Sequence, residues 1–141
     1  MPVRTVVAIA VLALLSGCGR ALGPERMETA TVRGRVHFRD VPIASGWVEF
    51  VPTEGTIGRL RSAKLAPDGS FEARAVPVGR VAIRLAGPPL PRTGDPGIDN
   101  FFFMCRQSFL IRRNVPEGGA AIDIELRDEA IAFEKAYGPR R

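Results

Sequence analysis

One histidine, two cysteines and two lysines stand in 141 residues. On the polar face of its strand His37 has no obvious carboxylate or cysteine partner in sequence, and a catalytic base needs a nucleophile and an orienting group. It reads as an exposed strand residue, and no enzyme and no cofactor are expected. Cys18 and Cys105 are too few for a disulfide framework. No apolar stretch approaches the roughly 20 residues that a helix needs to cross about 30 Å of hydrocarbon. The positive charge, +5 in all, rests on arginine, because only Lys64 and Lys135 are lysines. The arginines are spread along the chain, with Arg112-Arg113 and Arg140-Arg141 as mere pairs. Affinity for phosphate backbones needs clustered charge, so nucleic acid is not an expected partner. The overall balance still permits contact with anionic lipid or acidic glycan.

What is abundant is turn chemistry. Fifteen glycines and 12 prolines favour a β protein over a helical bundle. Apolar residues at 45% and charged residues at 25% make an ordinary globular mix. The N-terminus carries one positive charge, Arg4, and then an unbroken apolar run from Val6 to Leu15. This is the pattern of a secretory signal. Leu15-Ser16-Gly17-Cys18 follows, and it resembles the lipobox of bacterial lipoproteins. Small residues admit the extended backbone to a signal peptidase, and the thiol accepts a diacylglyceryl group. Cleavage before Cys18 removes 17 of 141 residues and leaves 124, enough for one domain. Two acyl chains give lasting attachment where one gives marginal binding. Residues 18–30 read as a tether of Gly, Pro, Glu and Arg. The expected location is therefore outside the cytoplasm, on the cell membrane or outer membrane of a bacterium.

Period-two alternation begins at Thr31, with Val32, Val36 and Phe38 on one face and Arg33, Arg35 and His37 on the other. Further strands are expected over Gly46–Pro52, Leu60–Ala66, Phe71–Ala75, Arg80–Ala86 and Ala121–Arg127. Pro67-Asp68-Gly69-Ser70 marks a tight hairpin turn. Four prolines and three glycines between Gly87 and Asn100 predict a long loop without regular structure. Some of Phe101-Phe102-Phe103-Met104 must pack beneath it. Arg106–Arg112 reads as strand or short helix, and Asp128–Tyr137 as a helix with acidic residues at its start. The expected fold is all-β, an antiparallel two-sheet sandwich of about seven strands over residues 31–127. A signal segment precedes it, and a short C-terminal helix and tail, 128–141, follow.

Four motifs recur in order: Val32-Arg33-Gly34-Arg35-Val36, Val48-Glu49-Phe50-Val51-Pro52, Asp68-Gly69-Ser70-Phe71 and Val76-Pro77-Val78-Gly79-Arg80-Val81-Ala82-Ile83. Together the stretch from Thr31 to Leu85 resembles the small planctomycete-type lipoproteins with a carboxypeptidase regulatory-like, or transthyretin-like, domain. Ile122-Asp123-Ile124-Glu125-Leu126 is similar to their last strand. Val41 stands where the usual pattern has Gly before Pro, and an aromatic expected near Val81 is absent. The resemblance implies a prealbumin- or immunoglobulin-like sandwich and an envelope location. It implies no peptidase machinery.

The remaining candidates are few. Trp47 and Glu49 lie opposite Val48 and Phe50, where packing is the plainer role and a sugar-binding face the alternative. Asp95, Asp99 and Asn100 offer oxygen ligands at close spacing, but not in the spacing of a known calcium loop, so no metal is expected. Cys105 reads as a buried free thiol. The sequence thus points to a membrane-anchored, non-enzymatic interaction or structural module of the cell envelope. The alternative is a carbohydrate or small-ligand binding module. The partners to expect are the membrane through Cys18, and an envelope protein or glycan.

Overall fold

The structure, a computed structural model, describes residues 27–138. Eight strands form two sheets. They are β1 (Thr29–Phe38), β2 (Val41–Pro42), β3 (Trp47–Pro52), β4 (Arg61–Lys64), β5 (Ser70–Pro77), β6 (Gly79–Ala86), β7 (Ile111–Val115) and β8 (Ala120–Glu125). Two helices of 12 residues each complete the chain, α1 (Pro96–Gln107) and α2 (Leu126–Tyr137). The first sheet has β1 at its centre. His37 faces Pro42 on one edge and Glu125 on the other, so β2 and β5 share one edge and β8 occupies the opposite one. The second sheet runs β4-β3-β6-β7, antiparallel throughout. The arrangement is consistent with a β-sandwich.

Alternation fixes which face is inward. Along β1, Ala30, Val32, Val36 and Phe38 are buried. They meet Phe71, Ala73, Ile122 and Ile124 of their own sheet and Val48, Phe50, Val81, Ile83 and Leu85 of the other in one core. Gly34 stands in the inward row. A Cβ there would overlap the Ile122 carbonyl and come within 2.8 Å of the Phe71 ring. Its bare backbone leaves the space in which Phe71 packs on Phe50, ring centroids 6.0 Å apart.

Three features depart from the sequence reading. The β1–β8 pair is parallel, whereas all the other strand pairs are antiparallel. Pairing the first long strand with the last places β1 inside its sheet, which no local pattern announces. Second, the predicted loop 87–100 ends early, because α1 begins at Pro96. Asp95 caps it, accepting from the Gly97 N–H (2.8 Å) and the Ile98 N–H (3.2 Å). Proline at the first helical position gives up a donor that would be unpaired anyway. Asp-Pro-Gly therefore starts a helix here, although the same residues also make turns. Third, several bounds shift: β1 begins at Thr29 and not Thr31, α2 begins at Leu126 where strand was expected to Arg127, Arg106–Arg112 divides between the end of α1 and the start of β7, and the short β2 stands where a turn was expected.

Helix α1 packs on β6 and on α2. It buries Phe101, Phe102 and Cys105 and leaves Phe103 in solvent. Phe102 meets Phe38 edge-on at 5.3 Å, and Phe101 meets Phe133 of α2 at 5.6 Å. No helix among the described residues is long and apolar enough to cross a membrane.

Candidate functional site

The parallel register sets Arg35 beside Asp123 and His37 beside Glu125 on the outward face of the first sheet. His37 Nε2 lies 3.0 Å from both carboxylate oxygens of Asp123. Nδ1 lies 2.6 Å from the Arg39 carbonyl and 3.4 Å from Glu125 Oε2. Both ring nitrogens therefore face acceptors, which is the geometry of the imidazolium. The Asp123 hydrogen bond and then the Arg39 carbonyl raise the pKa above its usual value, and partial burial opposes them.

Glu125 ties this group to two backbone turns. Its Oε1 accepts from the Arg39 N–H (3.0 Å) and from the Arg127 N–H (2.9 Å), the latter as the N-cap of α2. Arg39 has φ +55°, the left-handed region, so the carboxylate bond helps to hold a strained turn between β1 and β2. Around these residues Arg35, Arg39, Asp40, Pro42 and Asp68 close a cleft of about 410 Å³. Asp68 is also engaged: its Oδ1 accepts from the Ser70 N–H (3.0 Å) and hydroxyl (2.6 Å), which hold its carboxyl below the usual range. Among the described residues the cleft lining contains no Ser, Thr, Cys or Lys.

The other sequence candidates are dispersed. Trp47 is half-exposed, so packing between the sheets is not its role. Glu49 points the same way but is held by Arg84, whose Nε donates to it at 2.8 Å. The Arg84 guanidinium also lies over the Phe109 ring, 4.7 Å from its centroid. Cys105 is buried, its Sγ 3.4 Å from the Phe102 carbonyl, and burial pushes its thiol up to about 12. It is a core residue with no thiolate to offer at neutral pH. Asp95 is spent as the α1 cap, and Asp99 accepts from the Thr93 N–H and hydroxyl at 2.8 Å each. Among the described residues no group of three or more His, Cys, Asp or Glu side chains is placed to hold a metal ion. Leu15, Ser16, Gly17 and Cys18 lie outside the described residues.

Sequence reasoning placed His37 on a polar face but missed its partners, which are 86 and 88 positions away. The only signal was the polar alternation Asp123-x-Glu125 in a strand matching that of β1. The described part is mostly strands in two sheets with two short helices, an arrangement consistent with a β-sandwich. No family model matches the chain, and no curated protein and no solved structure matches it.

Proposed function

We propose that the chain is a bacterial envelope lipoprotein, held to a membrane through lipid on Cys18, whose transthyretin-like sandwich serves as a non-enzymatic binding or structural module. The observation that carries this reading is the order of Arg4, the apolar run Val6–Leu15 and Leu15-Ser16-Gly17-Cys18 at the head of the chain. The first strand begins 11 residues after Cys18, a spacing that leaves room for a short tether.

Mass spectrometry of the mature N-terminus, beside the Cys18→Ser variant, tests the anchor. The expected product starts at Cys18, carries a diacylglyceryl mass and sediments with membranes, while Cys18→Ser stays unprocessed. A mature chain that begins elsewhere, or an unmodified cysteine, overturns it.

A second reading, a carbohydrate or small-ligand module, is favoured by the exposure of Trp47 on a sheet face. Titration of its fluorescence with representative envelope sugars distinguishes the two. Saturable quenching by one sugar class that Trp47→Ala abolishes supports the ligand module, and a flat response to every class removes it.

A further inference from the structure

The end of the sandwich where the chain enters β1 bears both exposed apolar side chains and arginines in excess. β3 and β5 finish there, β4 and β6 begin there, and residues 53–60 bridge β3 to β4. That loop is fixed. The Thr53 N–H donates to the Arg80 carbonyl at 2.9 Å, the Thr56 N–H donates to the Thr53 carbonyl at 3.1 Å, and Gly58 lies against the Pro77 ring. From this firm base Ile57 is 53% exposed, Leu60 46% and the neighbouring Met27 42%. Met27 and Ile57 line one groove of about 410 Å³ together with Glu28, Glu54 and Arg80.

Four arginines, Arg59, Arg61, Arg80 and Arg112, stand against three glutamates, Glu28, Glu54 and Glu117, at this end. Arg80 and Arg112 share a single carboxylate, Glu54. Arg59 and Arg61 are exposed, and neither has a carboxylate partner among the described residues; Arg61 Nε donates to the Ala75 carbonyl at 3.2 Å. Glu28 and Glu117 are the opposing exposed charges. At the other end of the strands the balance inverts, with Asp40, Asp68, Asp123 and Glu125 gathered around Arg35, His37 and Arg39.

We propose that this end docks on the headgroups of an anionic lipid surface, with Ile57, Leu60 and Met27 in the interface and the arginines on lipid phosphates. The proposal rests on the reading of Cys18 as the acylated residue. Nine residue steps separate Cys18 from Met27, a reach of about 30 Å when fully extended. No conformation of those residues can hold this face further than that from the acylated cysteine, which keeps it near the bilayer at high effective concentration. The His37 end lies the length of β1 away, about 30 Å for its ten residues. Apolar insertion combined with attraction of arginine to anionic lipid is what interfacial binding requires.

The full chain, isolated from membranes and reconstituted in vesicles, tests this. The vesicles combine zwitterionic phospholipid having brominated acyl chains with anionic phospholipid. A chain with Trp47→Phe and Ile57→Trp is expected to lose at least half its fluorescence. The native chain reports from Trp47, at the start of β3 and about 17 Å up the strand from Pro52, and is expected to lose little. Leu60→Trp in the same background gives an independent second reading. Arg59→Gln with Arg61→Gln lowers the docked-to-undocked ratio by about fivefold per arginine at low salt. An unquenched residue 57 in a membrane-held chain overturns the proposal. So does equal quenching at positions 47 and 57, or quenching unchanged in vesicles without anionic lipid. The N-terminal mass of the same sample separates the two readings. Acylated Cys18 with an unquenched position 57 sinks docking alone, whereas unacylated Cys18 sinks the anchor.

Discussion

Replacing His37 with glutamine removes two interactions from the β1–β8 seam. The Nδ1 bond to the Arg39 carbonyl contributes about 1 kcal/mol net. The pair with Asp123, whose side chain is 69% exposed, contributes no more than about 0.5 kcal/mol after solvent screening. At about pH 5.5, His37→Gln is therefore expected to cost about 1.5 kcal/mol, a drop in Tm of roughly 6 °C for a domain of this size. The sign of the pH dependence follows from the raised pKa of the folded ring. The unfolded ring titrates near its ordinary value of about 6.5. The contribution is complete below that pH and is lost as pH rises through the higher folded value. Ordinary carboxylates are already ionised across this window, so the imidazole is the titrating partner. Thermal melts of both chains at about pH 5.5, 7 and 9 should show the gap narrowing by about a third to a half, and Asp123→Asn should flatten that trend. A gap that is constant over the range, or that widens with pH, would refute the assignment of His37 as an imidazolium clamp.

Gly34→Val is expected to cost about 3 kcal/mol or more, because its side chain meets the Ile122 carbonyl and the Phe71 ring; urea denaturation reads the loss, and near-native stability would mean a looser seam. Phe101→Ala should cost about 3–5 kcal/mol by opening a void between α1 and α2, seen as a lowered midpoint in the same assay. Asp95→Ala removes the α1 cap for about 1 kcal/mol, with Asp95→Asn retaining most of the stability. Cys105 should resist iodoacetamide at about pH 8 in the folded chain and react on denaturation, since burial holds its thiol up near about 12. Rapid labelling of the native protein contradicts the burial.

The longer alternating strands were the legible part of this chain, for the reason that alternation is a local signal, whereas the short β2 and β7 were not. Val32, Val36 and Phe38, then Val81, Ile83 and Leu85, then Ile122 and Ile124 are inward as their spacing requires. The Asp68-Gly69 hairpin is equally local: Gly69 has φ +77° and joins the strands at a turn that needs it. Helix α1 was hidden because Asp95-Pro96-Gly97 serves a turn and a helix start equally well. What chose the helix was the burial of Phe101, Phe102 and Cys105, a tertiary effect. The His37 cluster was hidden for a different reason. Its carboxylates reach it only through a parallel pairing of distant strands, and no spacing within β1 encodes that neighbour. Glu49, legible as an outward acid, turned out to be engaged by Arg84, again across strands.

The pairing of β1 with β8 also governs when this protein can exist as a folded object. Val32 must wait for Ala120, and His37 for Glu125. A chain delivered from its N-terminus, by a ribosome or through a translocation pore, cannot complete its first sheet until residues 120–125 have emerged. Until then β1 displays a bare hydrogen-bonding edge, and early release or truncation before residue 120 leaves a strand open to capture by another chain. Late closure of this kind keeps a polypeptide threadable until its β8 segment arrives.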